Sequence, residues 1–114
     1  MKKSKILVLG SNGFSGKHFK KFIAKNNLKE KYDFVGVDIS EDENSIIPQT
    51  KINILNKKDL AELLHSAKPE FIVNFAGKLS GNYQELYEIN ADFVNILCSL
   101  LLKINHFPRK ILLI

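Results

Sequence analysis

The 114-residue sequence contains a single cysteine, Cys98, which excludes an internal disulfide and fits a reducing cytoplasm. Cys98 lies in an apolar helical pattern, so we expect it to be a small buried hydrophobic residue. The sequence also lacks any apolar run near the roughly 20 residues of a membrane span. The apolar stretch behind the basic residues 1–5 is too short for a signal peptide. The composition therefore predicts one globular domain in the cytoplasm, with no membrane partner.

Metal-ligand spacing is also missing, because His18, His65 and His106 share no pattern that would hold an ion.

The positive charge of the chain, a net +5, is unevenly distributed, and nine lysines fall within residues 2–31. Such a cluster is compatible with a nucleic-acid surface, but no aromatic or arginine-rich surface accompanies it. We therefore interpret the lysines as the solvated face of the first helix. This interpretation predicts no nucleic-acid partner and a mild attraction for anionic ligands.

What is present is an alternation of strands and helices with short breaks between them. Apolar periodicity predicts helices at residues 15–26, 57–66 and 83–105, and strands at residues 5–9, 34–39, 51–55, 71–75 and 110–114. Asn56 is a natural N-cap for the second helix. Nearly continuous apolar strands separated by helices indicate a parallel sheet that is covered on both faces. Right-handed crossovers then give a doubly wound, Rossmann-like α/β sheet of strand order 3-2-1-4-5.

A glycine-rich turn joins the first strand to the first helix, with the sequence Gly10-Ser11-Asn12-Gly13-Phe14-Ser15-Gly16. A tight turn of this kind places free N–H groups and the positive helix end at one point, which favours a phosphate. The first glycine permits the sharp turn, and the second lets the backbone approach a diphosphate. The third lets the helix pack against the sheet. The alternative is a glycine-rich connector without a ligand.

Asp38 closes the second strand, 22 residues after Gly16. A carboxylate at this position can accept hydrogen bonds from both hydroxyls of an adenosine ribose, and it repels a 2′-phosphate. No arginine lies near the glycine turn to hold a 2′-phosphate. Asp38 therefore favours NAD over NADP, and the alternative is an aspartate that only caps the strand end.

Further residues follow the third and fourth strands at the carboxyl edge of the sheet, where ligands bind in such folds. Asn53, followed by Ile54, is placed to pair with an adenine edge. Ala76 and Gly77 are small enough for a cofactor to lie against their backbone, although a tight strand-to-helix turn explains them equally well. Asn90 is polar on an otherwise apolar helix, and we expect it to bond loop backbone near the fourth strand.

Together these segments resemble the N-terminal half of an extended short-chain dehydrogenase/reductase, in the NAD-dependent epimerase/dehydratase family that acts on nucleotide sugars. The resemblance covers the whole chain and includes residues 71–77 and the stretch that Asn90 opens. It departs from the family pattern at Asn53, where the family usually has Asp, and at Ser15, where it has an aliphatic residue. The resemblance implies that hydride passes to nicotinamide near residues 76–78. It implies these NAD-binding residues: Gly10, Ser11, Asn12, Gly13, Phe14, Gly16, Asp38, Ile39, Asn53, Ile54, Phe75, Ala76, Gly77, Lys78 and Asn90.

The resemblance also reveals a missing catalytic pair. In the family the fifth strand delivers a catalytic Ser or Thr, and the next helix carries a Tyr-x-x-x-Lys whose tyrosine is the acid/base. The three tyrosines of this chain are Tyr32, Tyr83 and Tyr87, and the residues four positions later are Gly36, Tyr87 and Ala91. None of them is the lysine of this motif. We therefore expect residues 1–114 to be an incomplete NAD-binding Rossmann domain, truncated before the catalytic segment and with no catalytic residue.

Two interpretations of such a domain stay open. It is either a fragment of an enzyme that binds its nucleotide-sugar substrate elsewhere, or a non-catalytic dinucleotide-binding or scaffolding module. In both, the fifth strand would present an open apolar edge to other chains. Self-association is therefore expected.

Overall fold

The computed structural model describes residues 3–77 and 82–114, apart from the side chains of Glu85, Leu86 and Ile89. Within this part of the chain no helix is long and apolar enough to cross a membrane. The strands are β1 (Ser4–Leu9), β2 (Tyr32–Asp38), β3 (Gln49–Lys51), β4 (Phe71–Asn74) and β5 (Lys110–Leu113). The helices are α1 (Phe14–Lys25), α2 (Lys57–Ala67), α3 (Tyr83–Tyr87) and α4 (Phe93–Lys103), with a 3-10 turn at Leu28–Glu30 and a π-helical segment at Glu88–Asp92.

The strands pair in parallel in one sheet of order β3-β2-β1-β4-β5, which confirms the predicted doubly wound topology. β1 lies in the centre, and its side chains alternate between the two faces. Leu7 and Leu9 join a core with α2 and α4, whereas Val8 joins a second core with Ile23 of α1. Helices therefore cover both faces of the sheet, and the loops after β1, β2 and β4 meet at its carboxyl edge.

The third strand differs from its prediction, because β3 occupies Gln49–Lys51 instead of residues 51–55. The chain leaves the sheet where Asn53 bonds its own loop: the Oδ1 atom accepts from the N–H of Leu55 at 2.9 Å. Such local side-chain bonds compete with strand pairing. Asn53 and Ile54 thus lie in the loop after β3, still at the carboxyl edge of the sheet.

The helix predicted at residues 83–105 is divided into α3, the π-helical segment and α4. In α4 the buried side chains are four residues apart, at Phe93, Leu97 and Leu101. Cys98 is exposed, so its predicted burial is wrong. It follows Leu97 directly, and a rotation of about 100° per helical residue turns its side chain away from the core.

Candidate functional site

The turn after β1 brings the start of α1 to the carboxyl edge of the sheet. Gly10 has a φ of 74°, in the left-handed region, and its N–H donates to the carbonyl of Val37 at 2.8 Å. α1 then begins at Phe14, with Gly13 as an N-cap that has no side chain to accept from the first helical turn. Because the first N–H groups of a helix have no intrahelical partner, those of α1 are available donors at the positive helix end.

The three glycines of the turn have two different roles. A Cβ atom on Gly10 would lie 2.7 Å from the backbone nitrogen of Ala76, and one on Gly16 would lie 2.6 Å from the carbonyl carbon of Ser11. A Cβ atom on Gly13 would meet only the Gly10 carbonyl oxygen, at an ordinary distance of 3.6 Å. Gly10 and Gly16 therefore permit close packing, whereas the backbone at Gly13 borders open space.

A cavity of about 390 Å³ opens at this edge of the sheet. Most of the predicted cofactor-binding residues line it: Gly10, Gly13, Asp38, Ile39, Asn53, Ile54, Phe75, Ala76 and Gly77. Sequence reasoning missed the other lining residues, which are Val37, Ile52, Leu55 and Glu88. The cavity thus joins a backbone cradle, the two carboxylate residues Asp38 and Glu88 and a group of aliphatic side chains, a mixture typical of small-molecule sites.

Other predicted residues lie around the cavity without lining it. Ser11 is fully buried beneath the turn, and Phe14 is 83% exposed on its outer side. Asn90 lies beside the far end of the cavity, because its Oδ1 atom would be 2.8 Å from a Cβ atom on Gly77. Lys78 lies outside the described residues, so its predicted role stays a prediction.

Asp38 is the last residue of β2, and its carboxylate organises the surrounding backbone. The Oδ2 atom accepts from the N–H of Asn12 at 2.9 Å, and the Oδ1 atom accepts from the N–H and the hydroxyl of Ser40, each at 3.1 Å. An ionised carboxylate has about four acceptor positions, so about one is left for a ligand. Asp38 therefore bonds the backbone at the strand end, as one of the two alternatives predicted, and it also lines the cavity, while its contact with a ribose stays a prediction.

A buried lysine lies behind the glycine turn, contrary to the predicted solvated face of α1. The side chain of Lys20 is 5% exposed, and its ammonium is 2.7 Å from the Oδ2 atom of Asp42. The other lysines of α1 are exposed, as predicted. Helical spacing contained the missed signal, because Gly16, Lys20 and Ile23 follow the i, i+4, i+7 pattern and are the buried residues of α1.

The hydrogen bond from Lys20 lowers the pKa of Asp42 below its usual value of 3.8, and a second one from the N–H of Asn44 adds to this shift. Because the folded-state pKa is the lower one, the charged form contributes stability above about pH 4 that is lost as the pH falls through the folded-state pKa. We expect Asp42→Asn to be less stable than the wild type at neutral pH, with a difference that shrinks in acid.

Urea unfolding at about pH 7 and about pH 3 measures this effect. Glu43→Gln, on the same loop and exposed, is the control and should differ from the wild type by the same small amount at both pH values. A difference for Asp42→Asn that is constant with pH would contradict the prediction.

A comparison of the sequence with models of protein families identifies the family of this chain. The model of the NAD dependent epimerase/dehydratase family matches residues 6–110, which include every element of the site. The chain belongs to this family. No curated protein has a significantly similar sequence.

Several solved structures have the fold of this epimerase/dehydratase-family chain. A UDP-glucose 4-epimerase from Thermotoga maritima, solved with UDP-glucose, has a TM-score of 0.76 and 18% identity over 96% of this chain and 37% of its own. The Bordetella bronchiseptica enzyme WbmG, solved with NAD, has a TM-score of 0.77 and 14% identity, over 98% of this chain and 37% of its own. A monomeric L-threonine 3-dehydrogenase from a metagenome has a TM-score of 0.75 and 19% identity, over 92% of this chain and 34% of its own. This chain therefore spans about a third of the length of these proteins.

Proposed function

We propose that this chain binds NAD and is the cofactor-binding part of a nucleotide-sugar epimerase, dehydratase or reductase. The observation that carries the proposal is a single cavity bordered by both the open backbone at Gly13 and the carboxylate of Asp38. A dinucleotide has the matching groups, which are a diphosphate and a ribose hydroxyl. The family description and the NAD complex of WbmG support this choice of cofactor.

The diphosphate is assigned to the glycine turn. The N–H groups at the start of α1 donate there, and the positive end of the helix favours a negative charge. Gly13 has no side chain to obstruct the approach, and Gly10 and Gly16 keep the turn close to the sheet. This chain therefore binds the diphosphate mainly through its backbone.

The adenosine half is assigned to the loops after β2 and β3. Asp38 has an acceptor position for a ribose hydroxyl, and its charge opposes the 2′-phosphate of NADP. Ile39, Ile52 and Ile54 supply an aliphatic surface for the adenine ring. The Oδ1 atom of Asn53 is bonded to its own loop, so its NH2 group is the part of the side chain assigned to adenine.

The nicotinamide end is assigned to residues 76–78, as the family resemblance implies. NAD supplies the hydride acceptor when it is bound, and the residues of this chain hold it in place.

Since no tyrosine of residues 1–114 is followed four residues later by lysine, a non-catalytic dinucleotide-binding or scaffolding module is the second candidate. We propose a cytoplasmic location for either protein, because Cys98 has no cysteine to pair with in this sequence.

A thermal-shift titration with NAD tests the proposed binding. At a ligand concentration about 100 times the Kd, we expect about 2.7 kcal/mol of stabilisation and a melting temperature higher by about ten degrees. NADP at the same concentration is the control and should give a smaller shift. A folded protein whose melting temperature does not respond to NAD contradicts the proposal.

A second experiment separates the two candidates. The coding sequence beyond Ile114 either contains a Tyr-x-x-x-Lys, as expected for an enzyme of the family, or does not, as expected for a module. NAD binding without turnover of a nucleotide sugar by residues 1–114 fits both candidates, so the activity of this chain alone does not decide between them.

We further propose that the chain self-associates through β5. This edge strand pairs with β4 on one side, and Leu112, Leu113 and Ile114 are each at least half exposed. Free edge N–H and C=O groups, with apolar side chains beside them, can pair with a second copy of the strand. We expect light scattering to show dimers or larger species at high concentration and Leu112→Lys to shift the protein toward monomer.

Phe22→Lys on α1 is the matched control, because Phe22 is also half exposed but lies away from the sheet edge. It should leave the distribution of species unchanged. A wild-type protein that is monomeric at high concentration contradicts self-association through β5.

A further inference from the structure

The ammonium of Lys20 has four polar side chains within hydrogen-bonding distance. Its ammonium donates to the Oδ1 atom of Asn12 at 2.8 Å and to the Oδ2 atom of Asp42 at 2.7 Å. The hydroxyl of Ser45 and the Oε1 atom of Gln49 are each 3.3 Å away. Burying an ammonium costs several kcal/mol unless it is paired and hydrogen-bonded, and an apolar side chain of similar size would avoid that cost. A role for these hydrogen bonds would explain why a charged side chain occupies this buried position.

One of these bonds leads directly to the cofactor side of the turn. The carboxamide of Asn12 accepts from Lys20 through Oδ1 and donates through Nδ2 to the carbonyl of Ser40 at 2.9 Å. The backbone N–H of Asn12 donates to the Oδ2 atom of Asp38 at 2.9 Å. Because the ammonium can only donate, it requires the oxygen of the Asn12 carboxamide to face inward. The NH2 group then faces Ser40.

A second bond anchors the loop after β2. The Asp42 carboxylate binds Lys20 and also accepts from the N–H of Asn44 through Oδ1, at 3.1 Å. Ser40 stands at the start of the same loop and donates twice to Asp38. Lys20 therefore anchors both segments that hold the Asp38 carboxylate, the glycine turn through Asn12 and the loop through Asp42.

We infer that Lys20 is a positioning residue for the adenosine ribose: through Asn12 and the Asp42 loop it fixes the carboxylate of Asp38 for its hydrogen bond to the ribose. Lys20 does not line the cavity, so it acts only through these partners. The inference rests on the proposed binding of NAD. It predicts that the affinity gained from the hydrogen bond between Asp38 and the ribose depends on the charge of the Lys20 ammonium.

The test compares NAD with the NAD analogue that lacks the 2′-hydroxyl of the adenosine ribose, by isothermal titration calorimetry. The wild type should prefer NAD about tenfold, the value of one hydrogen bond to a charged group. Lys20→Met keeps the length of the side chain and removes the charge. It should weaken NAD binding by about tenfold and reduce the preference over the analogue to about twofold or less.

A purely structural role for Lys20 gives a different result, because it weakens both ligands equally and leaves the preference intact. That result overturns the inference. Lys21→Met, which removes an exposed lysine from the next position of α1, is the matched control and should leave both affinities unchanged.

Asn12→Ala keeps the test decisive if Lys20→Met does not fold. In this variant the ammonium keeps its bond to Asp42, but the link to the turn is lost. The preference for NAD over the analogue should again fall to about twofold or less, and an unchanged preference overturns the inference. A wild type that is folded and binds neither ligand overturns the proposed function itself, and the role of Lys20 with it.

Discussion

Replacing Gly16 with alanine is expected to destabilise the protein by about 3 kcal/mol or more, because the new methyl group overpacks a rigid contact. A Cβ atom at this position would lie 2.6 Å from both the carbonyl carbon and the carbonyl oxygen of Ser11. These are backbone atoms of the turn, so no side-chain rotation relieves the clash. Urea unfolding measures the loss, and a Gly16→Ala variant of wild-type stability would show that α1 is not packed against the turn as described.

Gly13→Ala is the matched variant in the same turn. A Cβ atom there would make only a contact of 3.6 Å with the carbonyl oxygen of Gly10, and the φ of −74° suits alanine. We expect the stability to change by about 1 kcal/mol or less. The methyl group would border the space assigned to the diphosphate, so NAD binding should weaken about tenfold or more. The two variants thus separate the packing role of the glycines from their binding role.

Asp38→Asn is expected to lower the affinity for NAD about tenfold and to reduce the preference for NAD over NADP at least tenfold. The substitution keeps the size of the side chain but removes the charge that opposes a 2′-phosphate and one of the two carboxylate oxygens. Titration calorimetry with both cofactors measures the preference. Asp33→Asn, at an exposed position of the same strand, is the control. An unchanged preference in Asp38→Asn would falsify the assignment of Asp38 to the ribose.

The topology was predictable from the sequence because apolar periodicity reports burial directly. The central strand is apolar on both faces, and Asn56 caps α2 by accepting from the N–H of Asp59, as its position predicted. The position of Asp38 at the end of β2 was predictable for the same reason. The errors arose where a local bond or a single side chain departs from the average behaviour of its residue type.

Asn53, Cys98 and Lys20 show three such departures. Asn53 ends β3 early through a bond within its own loop, which competes with strand pairing. Cys98 belongs to an apolar helix but falls on its outer side, whereas Lys20 is charged and falls on an inner side. For both, helical spacing relative to the nearest buried residue predicts the outcome better than residue type does. The π-helical segment has no comparable pattern in the sequence.

The central position of β1 determines the order in which the site can be assembled. β1 pairs with β2 across a single helix, but it pairs with β4 only after the chain has passed through β2, β3 and α2. Closing the shorter loop loses less chain entropy, so the β1–α1–β2 unit is favoured to fold first. That unit contains both the glycine turn and Asp38. During synthesis the chain would therefore bring the glycine turn and Asp38 together before the segment carrying Phe75, Ala76 and Gly77 is added.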